Sequence, residues 1–375
     1  MLIKNASVLY DRNFIDADIL ISGERIKSVG RVDVNDEEIF DAEGLYAIAG
    51  FVDIHNHGFY GVDFYNPQSD FQPALTELAR KGVSSVTATL ICKPMDKLIV
   101  DLGHVVSEAK KSYTGAAIDA IHIEGPFISK NKSGAMTTPD IECNRENLGI
   151  LLCEGGGMVK LVTIAPEREN ANEVIADAVK KGVRMSLGHT VATYDEAMAA
   201  IESGASGATH TFNAMRSYDH REPGILGAVL TDERVSCEAI CDFVHLAPAT
   251  VKLIYKQKGS EKMIMISDSG AMSGLGDGVY NYDGAVRIVD GNVCRNEEGR
   301  LAGSTASMLE GAKNLLSIGV SLSEVSRIAS ENPAAAIGLG DEIGTIEAGK
   351  RADIILCDDK LNIKAVFIRG EIMKI

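Results

Sequence analysis

The chain has 375 residues, of which 45% are hydrophobic and 24% are charged, and its mean hydropathy is +0.04. This is the composition of an ordinary soluble protein, and the length suffices for one large barrel or two average domains. The formal charge of −16 argues against a nucleic-acid partner, because nucleic-acid binding requires a basic surface.

No membrane-spanning or targeting signal is evident in the sequence. No apolar run approaches the ~18–20 residues that a transmembrane helix requires, and the segment MLIKNASVLYDRN turns polar too early for a secretory signal. The seven cysteines are scattered and include no CxxC pair, which argues against a disulfide framework and against a thiolate zinc site. Cys237 and Cys241 are expected to be buried thiols. We therefore expect a cytoplasmic protein without a membrane partner.

The two ends of the chain resemble each other in pattern. The segments LIKNASVL, DADILISGERIKSVG and EEIFDAEG alternate around glycine-containing turns, which is typical of antiparallel hairpins. IGTIEAGKRADIILCDD and IKAVFIRGEIM, near the C-terminus, do the same. Neither end is large enough for a core of its own. We expect residues 1–47 and 338–375 to combine into one small β-sandwich.

Between these ends, residues 48–337 alternate short β-branched runs with helical stretches. Strands that alternate with helices predict a parallel sheet, and eight such units over about 250 residues favour a closed barrel. The predicted class is therefore α/β, with a TIM-like (β/α)₈ barrel beside the β-sandwich. The eight predicted strands are Ala49–Asp53, Ser84–Leu90, Ala117–Ile123, Val159–Ile164, Val183–Leu187, Gly207–Thr209, Arg234–Ile240 and Met263–Ser267.

Histidines and carboxylates follow these strands where the active sites of such barrels lie, at the C-terminal strand ends. Because parallel strands end at one rim, side chains far apart in sequence should converge there. The residues at or just past the strand ends are His55, His57, Glu124, His189, His210, His245 and Asp268.

This set of side chains predicts a metal site. Imidazole and carboxylate groups suit zinc, iron or manganese, and we favour Zn²⁺ or Fe²⁺, with one or two ions. A single histidine at a strand end is usually just a hydrogen-bonded polar residue, whereas His55 and His57, two apart on a strand, point the same way. His122 also points inward, and we favour a role in orienting Glu124 over that of a packed polar group.

Several longer motifs then occur in order along the chain. They are HIEGPF (122–127), SLGHT (186–190), THTFNAM (209–215), HREPG (220–224), SDS (267–269) and LAGST (301–305). The set resembles the N-acetylglucosamine-6-phosphate deacetylases, a family within the amidohydrolase superfamily, and THTFNAM with HREPG is its most specific part. The ending GTIEAGKRADIIL resembles the superfamily's C-terminal sandwich strand. The resemblance implies hydrolysis of the acetamide of N-acetyl-D-glucosamine 6-phosphate to D-glucosamine 6-phosphate and acetate.

The resemblance also implies the chemistry of individual residues. Glu124, His189 and His210 match the family's metal ligands. His55 and His57 match a first-strand pair that some members use for a second metal. Asp268 matches the catalytic aspartate, which would take a proton from the attacking water and deliver it to the departing amine.

Further positions are implied to bind the sugar phosphate. In the family the arginine arrives from the neighbouring subunit, so the resemblance implies a homodimer. From the residues alone, the preferred explanation of Arg221 is a surface loop residue in an ion pair, with Glu222 next to it. The implied substrate-binding positions are Asn213, Ala214, Arg221, His245, Ala135, Met136, Leu301, Ala302 and Gly303.

Two of the pocket positions depart from the family pattern. Met136 stands where many members carry a histidine, and methionine cannot donate a hydrogen bond. The family's D-G-x-H reads D-F-V-H over 242–245, which puts the bulky Phe243 near the same pocket. Another N-acetylhexosamine phosphate, such as the galactosamine epimer, therefore stays open as the substrate.

Two more distant alternatives are disfavoured. A dihydroorotase- or urease-like hydrolase bridges two metals through a modified lysine at the end of the fourth strand. Here VKLVTIAPE has Lys160 near its start and Ala165-Pro166 at its end. A non-catalytic barrel scaffold is expected to lose ligands, whereas each expected ligand is present.

Overall fold

The computed structural model describes residues 1–32, 38–134, 136, 139, 141–282, 285–291, 293–299 and 301–374. The N-terminal part is a group of paired strands, in which β1 pairs antiparallel with β2 and parallel with β4 and β5. Asp11 and Arg12 make the tight β1–β2 turn at φ values of 44° and 69°. These strands are β1 (Leu2–Tyr10), β2 (Asn13–Ser22), β3 (Arg25–Gly30), β4 (Ile39–Asp41) and β5 (Tyr46–Ala49).

The strands of the central region follow. They are β6 (Phe51–Asn56), β7 (Gly58–Phe59), β8 (Val62–Asp63), β9 (Val83–Leu90), β10 (Ala117–Glu124), β11 (Val159–Ile164), β12 (Arg184–Leu187), β13 (Gly207–Ala208), β14 (Ser236–Ile240) and β15 (Met263–Ile266). All except the β7–β8 hairpin form one parallel sheet, in the order β15-β14-β13-β12-β11-β10-β9-β6. A parallel bridge between Asn56 and Ser269 brings the two edges together. The predicted (β/α)₈ barrel is confirmed, and each predicted strand lies within three residues of an observed one.

Helices connect these strands on the outside of the barrel. Among the described residues three helices begin with a capping box, Thr193 with Glu196, Ser307 with Glu310 and Ser321 with Glu324, which satisfies free backbone N–H groups at the helix start. In the part of the chain that the structure describes, no helix is long and apolar enough to cross a membrane. The helices before the eighth strand are α1 (Gln72–Arg80), α2 (Met95–Glu108), α3 (Arg145–Glu154), α4 (Ala171–Lys180), α5 (Tyr194–Glu202), α6 (Gly224–Thr231) and α7 (Pro248–Lys262).

After the eighth strand the chain forms an antiparallel sheet that the sequence analysis did not predict. It consists of β16 (Gly278–Tyr282), β17 (Ala285–Asp290), β18 (Val293–Asn296) and β19 (Leu301–Ser304). Its last strand returns to the barrel, where Ser304 forms a bridge to Ser269 and donates its N–H to the carbonyl of Asp268 at 3.3 Å. The insertion is therefore attached to the end of the eighth barrel strand.

The C-terminal part contributes helices to the barrel and strands to the sheet formed by the N-terminal part. It contains α8 (Met308–Ser317), α9 (Leu322–Ser326), a π-helical turn (Arg327–Glu331), α10 (Asn332–Ala336), β20 (Ile354–Cys357), β21 (Ile363–Ile368) and β22 (Glu371–Ile372). The last three strands join the N-terminal ones in the order β22-β21-β20-β5-β1-β2-β3. Ile19, Ile354 and Phe367 are buried in a core that this sheet encloses, separate from the barrel core. The expectation that the two chain ends combine is confirmed.

The upper interior of the barrel is polar. His55, His122 and Thr163 are wholly buried inside it, and Glu238 is 1% exposed. Barrels of this type usually fill the interior with branched apolar side chains, which here pack mainly between strands and helices. The polar layer lies directly below the rim where the candidate active site is built.

Arg351 ties the terminal sheet to the barrel. Its guanidinium donates to Asp119 at 3.0 Å and to Asp353 at 2.6 Å, and the three side chains are 15%, 19% and 5% exposed. Removing the arginine of a buried ion pair leaves its carboxylates without a partner and lowers the free energy of unfolding.

We predict that Arg351→Ala lowers the free energy of unfolding of the metal-free protein in urea by about 3 kcal/mol. The matched control is Arg25→Ala, since Arg25 pairs with Glu342 at 2.8 Å but both side chains are more than half exposed. The control should cost less than about 1 kcal/mol. Equal losses in the two variants would show that the Arg351 cluster does not fasten the sheet.

Candidate metal centre and active site

The ends of five barrel strands supply the side chains of the site. His55 and His57 come from the end of β6, and Glu124 is the last residue of β10. The remaining three, His189, His210 and Asp268, each lie two residues past the end of a strand, namely β12, β13 and β15. The structure therefore brings together the whole predicted set of metal ligands and the predicted catalytic aspartate.

The residues just past the strand ends have an uncommon backbone conformation. The φ values of His189, His210 and Asp268 are 47°, 29° and 49°. Left-handed backbone is rare for residues other than glycine and clusters at functional sites. At each of these positions the turn directs the side chain over the mouth of the barrel.

Glu124 is the centre of a first group of three candidate metal ligands. Its Oε1 atom lies 2.9 Å from Nε2 of His189 and 2.9 Å from Nε2 of His210. The two ring nitrogens are 3.0 Å apart. All three side chains are at least 95% buried. Three donor atoms converge here on one point.

A second group shares the same carboxylate. Nε2 of His55 and Nε2 of His57 are 3.2 Å apart, and they lie 3.5 Å and 3.3 Å from the Glu124 oxygens. Oδ1 of Asp268 lies 3.4 Å and 3.3 Å from the same two nitrogens. Glu124 therefore stands between two pairs of imidazoles, and Asp268 closes the second pair.

Hydrogen bonds on the far side of the rings show which nitrogens are free to bind an ion. Nδ1 of His57 contacts the carbonyl of Thr89 at 3.1 Å, and Nδ1 of His189 contacts that of Lys132 at 2.6 Å. A carbonyl oxygen only accepts, so each Nδ1 carries the proton and the Nε2 of a neutral ring carries a lone pair. Lone pairs that point at one another repel unless a cation lies between them. The residues present therefore fit a divalent metal ion, as the donor types also do.

The electrostatics of the cluster favour positive charge. Burial opposes ionisation of Glu124, but His55 and His189 outweigh it and lower the pKa of this carboxyl well below its usual range. The pKa of Asp268 is also lowered, because His55 and His57 outweigh burial. Conversely, burial would lower the pKa of His57, but contacts with Asp268 and Glu124 raise it to about 9. Two carboxylates that stay ionised attract a cation at this point.

Below the ligands lies a chain of hydrogen bonds inside the barrel. Nε2 of His122 contacts Oγ1 of Thr163 at 2.8 Å, and Thr163 contacts Thr209 at 2.8 Å. Burial and the charge of His55 lower the pKa of His122 well below its usual value, so this ring is neutral. His122 makes no contact with the Glu124 carboxylate among the hydrogen bonds of the described residues, which favours the interior polar role over the orienting one.

The predicted phosphate-binding segment lies beside His210 and His189. Asn213 donates its backbone N–H and its side-chain Nδ2 to the His210 carbonyl at 2.9 Å and 3.2 Å. Ala214, at φ 49°, accepts the N–H of Thr190. Arg221 is exposed on the following loop, and among the described residues its guanidinium has no ion pair, so the alternative pairing with Glu222 is not seen.

Met136 and β19 carry the remaining predicted pocket positions that the structure describes, and both contact segments at the ends of barrel strands. Sδ of Met136 accepts the N–H of Cys92, just past β9, at 3.4 Å. Leu301, Ala302 and Gly303 form β19, whose end is bonded to Asp268 as described above. Ala135 lies outside the described residues.

His245 has a partner that the sequence analysis missed. Its Nδ1 donates to Asp242 at 2.7 Å, and Asp242 also accepts the N–H groups of Val244 and His245. Burial lowers the pKa of His245, but Asp242 outweighs it and the pKa is raised. The motif D-F-V-H could have predicted this hydrogen bond, because the carboxylate of an aspartate three residues before a histidine can reach the imidazole ring.

A (β/α)₈ barrel with buried imidazoles and carboxylates at its catalytic rim defines a metal-dependent barrel enzyme. The chain belongs to the amidohydrolase family, whose model matches residues 46–373. This family is metal-dependent, and the cluster of histidines with Glu124 is able to bind a metal. The resemblance found in the sequence motifs is thereby confirmed.

Known proteins similar to this chain include two sugar-phosphate deacetylases. The chain is 33% identical over 335 residues to N-acetylglucosamine-6-phosphate deacetylase of Bacillus subtilis, covering 87% of this chain and 84% of the relative. It is 32% identical over 336 residues to N-acetylgalactosamine-6-phosphate deacetylase of Escherichia coli O157:H7, covering 88% of each.

A solved structure is similar over the whole fold. It is that of a mutant N-acetyl-D-glucosamine-6-phosphate deacetylase from Mycobacterium smegmatis in complex with N-acetyl-D-glucosamine-6-phosphate. The TM-score is 0.91 at 33% identity, and the match covers 100% of this chain and 99% of that one.

Proposed function

We propose that this protein hydrolyses the acetamide of N-acetyl-D-glucosamine 6-phosphate, giving D-glucosamine 6-phosphate and acetate, in amino-sugar catabolism or recycling. The observation that carries the proposal is the convergence of four imidazoles on Glu124, with Asp268 beside them. The deacetylases from Bacillus subtilis and Mycobacterium smegmatis, similar over most of the chain, support the choice of substrate.

The metal would be Zn²⁺ or Fe²⁺. Glu124, His189 and His210 would hold one ion, and His55 and His57 would join Glu124 around a second. A divalent cation, when bound, lowers the pKa of the water that it holds toward ~7 and polarises a carbonyl group. An amide needs both effects, because it is a poor electrophile and its amine is a poor leaving group.

The chain's own groups move the protons. Asp268 is ionised, so it can accept a proton from the attacking water and then deliver that proton to the departing amine nitrogen. His245 donates Nδ1 to Asp242, which leaves its other nitrogen toward the site, and Asp242 raises the pKa of this ring, which favours its cationic form. A cationic donor stabilises negative charge that develops on the acetyl carbonyl oxygen.

The phosphate would be bound by Asn213, Ala214 and Arg221, with the arginine supplied by a second copy of the chain. Arg221 fits this role because its guanidinium is exposed and without an ion pair among the described residues. A guanidinium presents a planar fork of donors that matches phosphate oxygens. The functional protein in this proposal is a homodimer, in which each subunit completes the site of the other.

A second substrate deserves a direct comparison. The chain is almost as similar to the N-acetylgalactosamine-6-phosphate deacetylase of E. coli as to the B. subtilis enzyme. Met136 lies at the rim of the pocket and offers no donor to a sugar hydroxyl. Phe243, at φ 63°, occupies the neighbouring loop. These residues favour testing the 4-epimer beside the glucosamine sugar.

The proposed function is tested by acetate release from both N-acetylhexosamine 6-phosphates, with metal-loaded protein and a chelated sample. We expect chelator-sensitive turnover with kcat/KM above roughly 10⁴ M⁻¹s⁻¹ on the glucosamine sugar, as for an enzyme on its own substrate. Higher efficiency on the galactosamine sugar would move the assignment to that substrate. Turnover of neither sugar by protein that holds stoichiometric metal would contradict the proposal.

The matched control for this assay is Asp268→Asn. The substitution keeps the size of the side chain but removes its capacity to accept a proton, so turnover should fall by at least about 10²-fold while metal is retained. Near-normal turnover in this variant would remove Asp268 from the proposed chemistry.

Arg221→Ala should raise KM by roughly 10- to 100-fold, because a charged hydrogen bond to phosphate is lost.

A mixture of two impaired variants, Arg221→Ala and Asp268→Asn, tests whether the arginine acts at the active site of the other subunit. An equal mixture of Arg221→Ala and Asp268→Asn, exchanged into mixed dimers, should recover about a quarter of wild-type activity, since half of the dimers are mixed and one of their two sites is complete. No recovery would place Arg221 at its own subunit's site or outside the site.

A further inference from the structure

Glu238 is a buried carboxylate that neither the predicted ligand set nor the proposed chemistry uses. It lies in the middle of β14, a strand of otherwise small or apolar side chains, and it is 1% exposed. Its side chain points into the barrel beneath the metal centre. A buried charge destabilises the folded protein unless an opposite charge or hydrogen-bond donors lie beside it.

The contacts of Glu238 are few and converge on the ligands. Oε1 accepts from Oγ of Ser186 at 3.4 Å, and Oε2 accepts from the backbone N–H of His210 at 3.4 Å. Oε2 also lies 3.5 Å from Nδ1 of His55. Within the described residues, no lysine or arginine nitrogen lies within 4.0 Å of this carboxylate. Nδ1 of His55 is the one ionisable side-chain nitrogen of the described residues within 4.0 Å of this carboxylate, and the buried guanidinium of Arg184 acts on it from a greater distance.

His55 needs such a partner more than the neighbouring ligands do. Backbone carbonyls fix the proton of His57 and of His189 on Nδ1, as shown above. Nδ1 of His55 is buried and has no hydrogen-bond partner among the described residues, and the acceptor that faces it is Oε2 of Glu238 at 3.5 Å. Its Nε2 faces Glu124 and Asp268 at 3.5 Å and 3.4 Å. Only a proton on Nδ1 leaves Nε2 free to bind an ion.

We propose that Glu238 is a positioning residue that holds the His55 proton on Nδ1, so that Nε2 binds the metal ion shared with His57 and Glu124. Metal-binding histidines commonly donate their second nitrogen to a carboxylate in this way, which fixes the ring and raises its basicity. The inference rests on the proposed metal centre but not on the identity of the sugar.

The carboxylate of Glu238 selects one tautomer of His55 because an ionised carboxylate can only accept hydrogen bonds. An amide at position 238 also carries an N–H group, which can donate to Nδ1 and so stabilise the opposite tautomer, with the proton on Nε2. Glu238→Gln therefore conserves volume and removes the selection of the tautomer. Asp53→Asn is the matched control, since Asp53 is equally buried on the strand of His55 and, like Glu238, accepts a backbone N–H of a histidine, here that of His55 at 3.4 Å. Its other donors are Ser267 and Asn56, and it contacts no imidazole nitrogen.

The test measures zinc binding by the stripped full-length proteins in competition with a chromophoric chelator. In Glu238→Gln we expect the affinity for one of the ions to fall by 10- to 100-fold, the range found when such outer partners are removed. The ion held by Glu124, His189 and His210 should stay bound, and Asp53→Asn should bind zinc like the wild-type protein. Thermal unfolding of the metal-free proteins checks that both variants fold.

Wild-type affinity in Glu238→Gln would overturn the inference, and so would an equal loss in Asp53→Asn, which would point to a general effect of removing buried charge. Wild-type protein that binds no zinc would instead overturn the proposed metal centre. If Glu238→Gln does not fold, ¹⁵N spectra of histidine-labelled, zinc-loaded wild-type protein decide, with His55→Asn to assign the ring. A proton on Nδ1 of His55 supports the inference, and a proton on Nε2 contradicts it.

Discussion

One carboxylate organises the rim of this barrel. Glu124 lies within 2.9–3.5 Å of a ring nitrogen from each of four histidines, which come from the ends of three other strands, β6, β12 and β13. Desolvated imidazole lone pairs beside two ionised carboxylates would not converge at such distances without a compensating charge. A divalent cation supplies that charge, so the same arrangement that is unfavourable by itself becomes a binding site.

The rest of the structure keeps these groups in place. Parallel strands end together at the rim, and left-handed turns after three of the strands direct His189, His210 and Asp268 inward. Below the rim, His122, Thr163 and Thr209 form a chain of hydrogen bonds where most barrels have branched apolar side chains. The insertion after the eighth strand is bonded to Asp268 through Ser304, so the antiparallel sheet and the catalytic rim form one structure. Strain and polarity are tolerated here because the surrounding barrel is rigid and well packed.

The sequence predicts the barrel well, because strand length and β-branched runs are local signals, and it places each ligand because barrel sites follow strand ends. It does not predict partners that depend on three-dimensional distance. Glu238 contacts His55 across 183 positions of sequence, and only a charged residue within an otherwise apolar strand hinted at it. The sequence analysis did not predict strands β16–β19, because it assigned the whole of 48–337 to the barrel, although Asp290-Gly291 and Glu298-Gly299 are pairs typical of turns. The contact of Asp242 with His245 could have been predicted, because the two residues are only three positions apart.

The central claim is that Glu124 is shared by two sets of metal ligands, and metal content measures it directly. Glu124→Gln keeps the shape of the side chain and removes its charge. Elemental analysis of the purified protein, after loading with zinc and removal of excess ion, should find stoichiometric zinc in the wild-type protein. The account predicts that the variant loses most of its zinc from both sets. Full zinc content in the variant, with a wild-type melting profile, would contradict the account, because the histidines would then hold metal without the carboxylate on which they converge.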